Sequence, residues 1–402
     1  MNHLPQNTCL DCGPDPVSHF AIWIGSFIEN YSRPFGLAMN FLNRKIGYLF
    51  FVIPFAKFGL PLFRFFAKLK LGVLTDKNFP DDNLRTLILK ESADKKGVKM
   101  WQFRFGGKKG AEFFVAEKNN RWRVFESVPR PERIHSSAYV WMDNKTVLKK
   151  KLRQAGLPVA AGGECFFYGK AQKIFRGIEK PVIVKPNLGS RSRHTFTDVK
   201  TEEELKRALF SARKMSPMVV VEEELRGFVY RATLIGKKVV GIISREPAYV
   251  IGDGINNIKT LVEKENQRPA RQGPIFHEIL VNQDAEKELK KQNLNWESIP
   301  PTGKTVIIQS KVSRSVGAST TDFTDKAHPD NIALFEKAAE VVNDSLIGFD
   351  FIIEDMTKSW HEQKKCGFIE ANSAPFIDLH HYPLFGEPRD AGGQLWDLIF
   401  PN

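Results

Sequence analysis

The pattern of apolar and polar positions divides the 402-residue chain into two textures. Residues 20–74 are apolar and aromatic but repeatedly interrupted by Arg33, Arg44, Lys45, Lys57, Arg64, Lys68 and Lys70. Pro34, Pro54 and Pro61 break any long helix there. From Phe79 onward, short apolar runs bounded by turn residues alternate with amphipathic stretches, as in a chain of mixed helices and strands. Residues 84–90 (LRTLILK) predict a buried strand leading into a short helix through Lys96. Residues 98–105 and 112–115 predict further strands, turned at Gly106 and Gly107. Residues 143–156 predict a helix capped by Asp143 and stopped by Gly156. Residues 181–186 (PVIVKP) predict a short buried strand. Its Lys185 should face a ligand or solvent, because a lone charge is costly to bury. Residues 201–214 predict a helix with an acidic first turn, and 218–221 another strand. Residues 230–235 and 238–244 predict a hairpin. Helices are expected over 258–266, 284–294 and 330–343, and strands over 305–310, 349–353 and 368–372.

Composition narrows the class. Apolar residues make up 42% and charged residues 26%, which excludes a disordered chain, a collagen or a coiled-coil rod. Four cysteines exclude a disulfide scaffold and fit a reducing compartment. Cys9 and Cys12 form a CxxC, which alone is weak evidence for a metal or redox site. The net charge of +13 favours a partner with phosphates without choosing among nucleotide, nucleic acid and lipid surface. No nucleic-acid-binding motif is present, so nucleic acid is not expected. Phe accounts for 32 residues, eleven of them between Phe20 and Phe66. The longest uncharged run there, residues 46–56, is too short to span a bilayer. Two readings of 20–74 stay open: short helices packed on protein, or an interfacial segment with its basic side chains snorkelling to anionic headgroups.

The candidate chemistry gathers at strand ends. Glu222, Glu223 and Glu224 close one strand ahead of Gly227. Asp350 sits among apolar neighbours on a predicted strand, and Glu370 and Asn372 share a face of the next, because strand side chains alternate. These hard oxygen donors suit Mg²⁺ held against phosphates. The alternative is that Asp350 caps a turn and Glu370 pairs with a lysine.

The motifs in order are Asp143-Asn144-Lys145, Val184-Lys185-Pro186-Asn187, Val221-Glu222-Glu223 with Gly227 and Tyr230-Arg231, the REPAYVIGDG run from Arg245 to Gly254, Thr324-Asp325 with His328-Pro329-Asp330-Asn331, and Gly348-Phe349-Asp350 with Glu370-Ala371-Asn372 and Pro375. Together they resemble the ATP-grasp superfamily, in particular the ATP-grasp region of cyanophycin synthetase and the N-acetylglutaminylglutamine synthetase type. The resemblance runs from about Ala138 to Phe400. It implies an α+β / α/β chain: an ATP-grasp fold over 138–402, with two α+β subdomains clamping ATP. A small α/β domain over 76–137 and a Phe-rich helical segment over 1–75 would precede it.

The resemblance also implies roles. Lys145 and Lys185 would reach the ATP phosphates, with Asn187 and Ser190 in a lid loop that runs to His194. Glu222, Glu223 and Leu225 would meet the adenine, mostly through backbone groups. Asp350, Glu370 and Asn372 would hold two Mg²⁺, or Mn²⁺ in their place. Arg231 would face the transferring phosphate or the acid substrate, and Arg231 and Lys185 would be the catalytic cations. The implied reaction is a carboxylate–amine ligation through an acylphosphate, on amino-acid or peptide-like substrates. A small-molecule kinase, or a membrane-surface ATP-binding protein without ligase activity, are the alternatives. A homodimer, a cytoplasmic location and contact of residues 20–74 with the inner membrane face are further expectations.

Several positions depart from the relatives. Val229 stands where an acidic residue usually contacts ribose. The lid carries Arg191 and Arg193, which could touch phosphate. The later loop reads Ser313-Arg314-Ser315-Val316-Gly317 after Gln309, where relatives often have Arg. His380 or His381 could touch substrate, and His328 is expected to cap a helix.

Overall fold

The structure, a computed structural model, describes residues 9, 17–28, 53–106, 113–132, 141–188, 193–272, 275–309, 312 and 314–401, without the side chains of 53–58 and 315. Of the positions singled out above, Cys12, Ser190, Arg191, Ser313, Gly107, Glu112 and most of the Phe-rich stretch lie outside the described residues.

The first sheet is an antiparallel meander of β1 (Gly72–Thr75), β2 (Lys99–Phe105), β3 (Phe113–Lys118) and β4 (Arg121–Glu126). Alternation gives it two apolar faces. Phe103, Val115 and Val124 take Leu60 and Phe63 of the Ile53–Lys68 helix. Met100, Phe114, Ala116 and Phe125 take Ile88, Leu89 and Ala93 of a second helix, Leu84–Lys95. This second helix replaces the expected strand over 84–90. Asn83 caps it, its side chain accepting from the Thr86 amide at 3.0 Å. The helix is wedged between the sheet and a C-terminal helix, Ala391–Ile399, with the Trp396 indole donating to the Leu89 carbonyl at 2.9 Å. Burial against both neighbours explains the continuous apolar run that reads as a strand.

The second sheet contains β5 (Gly162–Cys165), β6 (Val182–Pro186), β7 (Phe196–Val199) and β8 (Val219–Glu223), in the order β5-β8-β6-β7 and antiparallel throughout. Helices Tyr168–Gly177 and Glu202–Ala212 cover one face. The latter starts with a capping box between Thr201 and Glu204.

The third sheet includes β9 (Phe228–Ile235) and β10 (Lys238–Glu246). A small ribbon of β11 (Tyr249–Ile251) and β12 (Thr305–Ile307) branches off before the sheet is completed by β13 (Ser319–Asp322), β14 (Leu346–Ile353) and β15 (Gly367–Asn372), in the order β13-β10-β9-β14-β15. The β9–β10 hairpin turns as expected, with Gly236 and Lys237 both at positive φ. Tyr230, Ala232, Phe349, Phe351 and Phe368 form the main core with helices Lys145–Gln154 and Pro329–Val342. On the opposite face, Ile235, Val240 and Leu346 seal against the C-terminal helix, and the charged positions Arg231 and Asp350 pair near the middle of β9 and β14.

The helix after Trp141 begins one residue later than expected. Asn144, not Asp143, is its cap, accepting from the Thr146 and Val147 amides at 3.2 and 3.1 Å. Asp143 instead accepts from the Ser373 amide at 2.8 Å, tying the helix start to the end of β15. Gly156, at φ 73°, ends it as expected.

Residues 223–227 carry the chain from the second sheet to the third. Gly227, at φ 113°, passes so close to β14 that a Cβ would lie 2.2 Å from the Ile353 carbonyl carbon. Gly227→Ala is therefore expected to cost about 2–3 kcal/mol of unfolding free energy, read from urea denaturation of the full chain.

Candidate active site

Lys145 and Lys149 are four residues apart, so they rise from the same face of one helix. Lys149 is buried, and its Nζ donates to both oxygens of Glu222 at 2.7 and 2.6 Å. Lys185, at the end of β6, donates to the same carboxylate at 2.5 Å from the neighbouring strand. One carboxylate thus compensates two ammonium groups, leaving a net positive charge at the cleft. Burial works to raise the Glu222 carboxyl, but Lys149 and Lys185 outweigh it and hold it at about 2. Burial pushes the Lys149 ammonium down to about 8, against the attraction of Glu222.

A second constellation crosses the third sheet. Asp350 on β14 stands opposite Arg231 on β9 and opposite Glu370 on β15. The buried Arg231 forks onto Asp350, its Nε donating to Oδ1 and its Nη2 to Oδ2 at 2.8 Å. Arg245 Nη1 approaches Asp350 Oδ2 to 3.7 Å from β10. Arg231 Nη2 lies 3.9 Å from Glu370, whose other oxygen is 3.4 Å from Lys145 Nζ. Burial opposes ionisation of Asp350, yet Arg231 and Arg245 hold its carboxyl below the usual range. Asn372 follows on the same strand, and its buried Nδ2 has no hydrogen-bond partner among the described residues. Asp350, Glu370 and Asn372 thus bring oxygen donors to one edge of the sheet, a set whose chemistry fits Mg²⁺. Both oxygens of Asp350 are already engaged by arginine, and Glu370 already faces a lysine.

The other positions named from sequence fall as follows. Lys185, expected to face a ligand or solvent, donates to Glu222. Asn187 is fully buried, its Oδ1 accepting from the Ser216 hydroxyl at 2.8 Å. Glu223 bonds the Ala161 amide through Oε1 at 2.8 Å, and Leu225 is half-buried in the crossover. Val229 lies on β9 opposite Arg245 and Ile352. Gln309 is buried and donates to the Leu280 carbonyl at 2.7 Å. His380 is also buried, its Nε2 2.7 Å from the Thr233 hydroxyl. His381 accepts from the Gly392 amide at 2.9 Å, and His328 caps the Pro329–Val342 helix as expected. Sequence reasoning missed Lys149, which reads as one of three surface lysines. Its four-residue spacing from Lys145 was the available signal. It also gave Arg245 no role, and did not see that Arg314 would reach Asp378 at 2.7 Å.

No family model matches the chain. Over 310 residues, 73% of its length, it is 31% identical to the glutathione biosynthesis bifunctional protein of Clostridium perfringens, of which it spans 40%. Over 265 residues, 64% of its length, it is 30% identical to cyanophycin synthetase of Synechocystis sp., of which it spans 30%. The crystal structure of a bifunctional glutathione synthetase from Pasteurella multocida matches 80% of the chain with a TM-score of 0.61 at 24% identity. The chain has the ATP-grasp fold. It spans less than half the length of these relatives. In the ATP-grasp arrangement the second and third sheets are the two halves, and the helix carrying Lys145 and Lys149 bridges them.

Glu222→Gln leaves the buried Lys149 and the half-buried Lys185 without their carboxylate, and is expected to cost about 3–5 kcal/mol at pH 7. The pH dependence separates its contribution. Burial holds His380 at about 3, below its ordinary 6.5, so stability falls with acidification from about pH 6.5 in both proteins. Glu222 is held at about 2, so its contribution is complete above the ordinary carboxylate pKa of about 4.3 and is lost as pH falls toward 2. Asp350 and Asp253 are also held low, so both proteins lose stability in acid, and urea unfolding across a pH series is expected to show a steeper loss below about pH 4.3 in the wild type than in Glu222→Gln.

Proposed function

We propose that the chain is an ATP-dependent carboxylate–amine ligase that forms an amide bond and releases ADP and phosphate. The observation that carries this reading is the row of Arg231, Asp350 and Glu370 across three neighbouring strands, facing Lys145. With Arg245, Lys149 and Lys185, five cations surround three carboxylates, an environment that attracts a polyphosphate. Residues 138–402 would be the catalytic unit, with 76–137 and 1–75 preceding it.

In this reaction a substrate carboxylate oxygen attacks the γ-phosphorus, and the bond to the ADP oxygen breaks. An amine then attacks the acyl carbon, phosphate leaves, and the amine loses a proton. Lys145 and Lys185 would hold phosphate oxygens. Arg231 would turn part of its fork toward the charge that spreads over the transferring group, which is what the site must stabilise. Mg²⁺, held by Asp350, Glu370 and Asn372, would neutralise that charge when bound. Two ions, or Mn²⁺ in their place, belong to the proposal. The similarity to proteins named for glutathione and cyanophycin synthesis supports amino-acid or peptide-like substrates.

Purified protein with Mg²⁺–ATP is expected to release ADP only when a pool of amino acids or dipeptides supplies both acid and amine. Glu370→Ala is expected to lower the rate by about 10³-fold. ADP release with a single hydroxyl-bearing acceptor and a phosphorylated product would replace the ligase by a kinase.

Peripheral membrane contact is a separate part of the proposal. Among the described residues no helix is long and apolar enough to cross a membrane. Phe65, Leu69, Leu71 and Val73 are nevertheless exposed, beside Arg64, Lys68 and Lys70. This supports contact with an anionic surface. Pelleting with phosphatidylserine vesicles is expected at low salt and is expected to weaken when Phe65 and Leu69 are replaced by Ser. Pelleting unchanged by these substitutions would remove this part.

A further inference from the structure

Three side chains of metal-ligating type meet, two from the N-terminal segment and the third from position 194. Cys9 Sγ lies 3.6 Å from His194 Nε2, and His194 Nε2 lies 3.3 Å from His19 Nε2. One ligand atom from each residue lies within 4.8 Å of the other two. These are the spacings of neighbouring ligands around one small cation. For tetrahedral Zn²⁺, with Zn–N of about 2.05 Å and Zn–S of about 2.3 Å, the N···N and S···N edges are about 3.3 and about 3.5 Å. A hydrogen bond accounts for this less well, because the thiol and the His19 ring converge on a single nitrogen of His194.

Two further features suit a metal. The His194 ring is buried, and its other nitrogen, Nδ1, lies 2.8 Å from the Ser211 hydroxyl. A partner on the second nitrogen fixes the tautomer and orientation of a ligating imidazole. Cys9 also opens the spacing Cys9-x-x-Cys12, which is common in zinc-binding thiolate pairs, and Cys12 itself lies outside the described residues.

We propose that Cys9, His19 and His194 bind a structural zinc ion that fastens residues 9 and 19 to His194. Ser26 Oγ lies 2.6 Å from Ser216 Oγ, which in turn donates to Asn187 at 2.8 Å. Residues 187 and 194 therefore both connect to residues 9–26, and the zinc holds the second connection. Cys165 and Cys366 have no part in this cluster. Cys165 bonds the Val219 carbonyl in the second sheet, and Cys366 lies beside the Trp360 and Gln363 carbonyls.

The test uses the full chain, expressed with zinc and purified without chelator. Elemental analysis is expected to find about one zinc per chain, with Cys9→Ser and His19→Ala losing most of it and Cys165→Ser and Cys366→Ser keeping it. Metal-stripped wild type titrated with Co²⁺ is expected to show the intense visible bands of a tetrahedral site and a thiolate charge-transfer band in the near ultraviolet. Stripping the metal is also expected to speed trypsin cleavage at Arg191 or Arg193. Wild type that holds no zinc and gives no tetrahedral cobalt spectrum would overturn the proposal. So would zinc retained by the Cys9→Ser, His19→Ala double variant, or a Cys9–Cys12 disulfide found by mass spectrometry. The wild-type measurements decide even where a variant fails to fold.

Discussion

Two lysines one helical turn apart reach carboxylates on two different sheets. Lys149 closes on Glu222 of the second sheet and Lys145 on Glu370 of the third. The helix between them lays Leu148 and Leu152 into the main core. Apolar packing fixes where the helix lies, and the ion pairs fix which way its polar face looks. A buried ion pair adds little net stability by itself, because desolvation offsets most of the attraction. Here its effect is geometric: it holds cations on both sides of one cleft at a fixed separation.

The carboxylates in that cleft already have partners. Arg231 covers Asp350, and two lysines share Glu222. The cations still outnumber the anions around them, so the cleft keeps a positive field and no carboxylate is buried uncompensated. A tetra-anionic nucleotide would find that field already in place, and its arrival would require rearranging hydrogen bonds rather than creating charge.

Much of this was legible along the chain, for identifiable reasons. The β9–β10 hairpin and the helix over 258–266 follow from turn chemistry and spacing that act locally. The same-face relation of Glu370 and Asn372 follows from the pleat alone. What failed was long-range. Residues 84–90 are apolar on both sides because two elements, hundreds of residues apart in sequence, enclose them, and no local period records that. Lys149 is hidden among surface-like lysines because its partner lies 73 positions away. His194 looked like the end of a polar loop, and only the fold places it beside Cys9 and His19.

The crossover between the two halves is braced along its length. The Glu223 amide bonds Ala161, the Glu224 amide Pro181 and the Arg226 amide Lys365, while Gly227 is pressed on Ile353. The first two ties hold the crossover to the second sheet and the last two hold it to the third, with Leu225 between them. Each half thus grips its own end of the crossover, and any turning of one half against the other is concentrated in the backbone around Leu225.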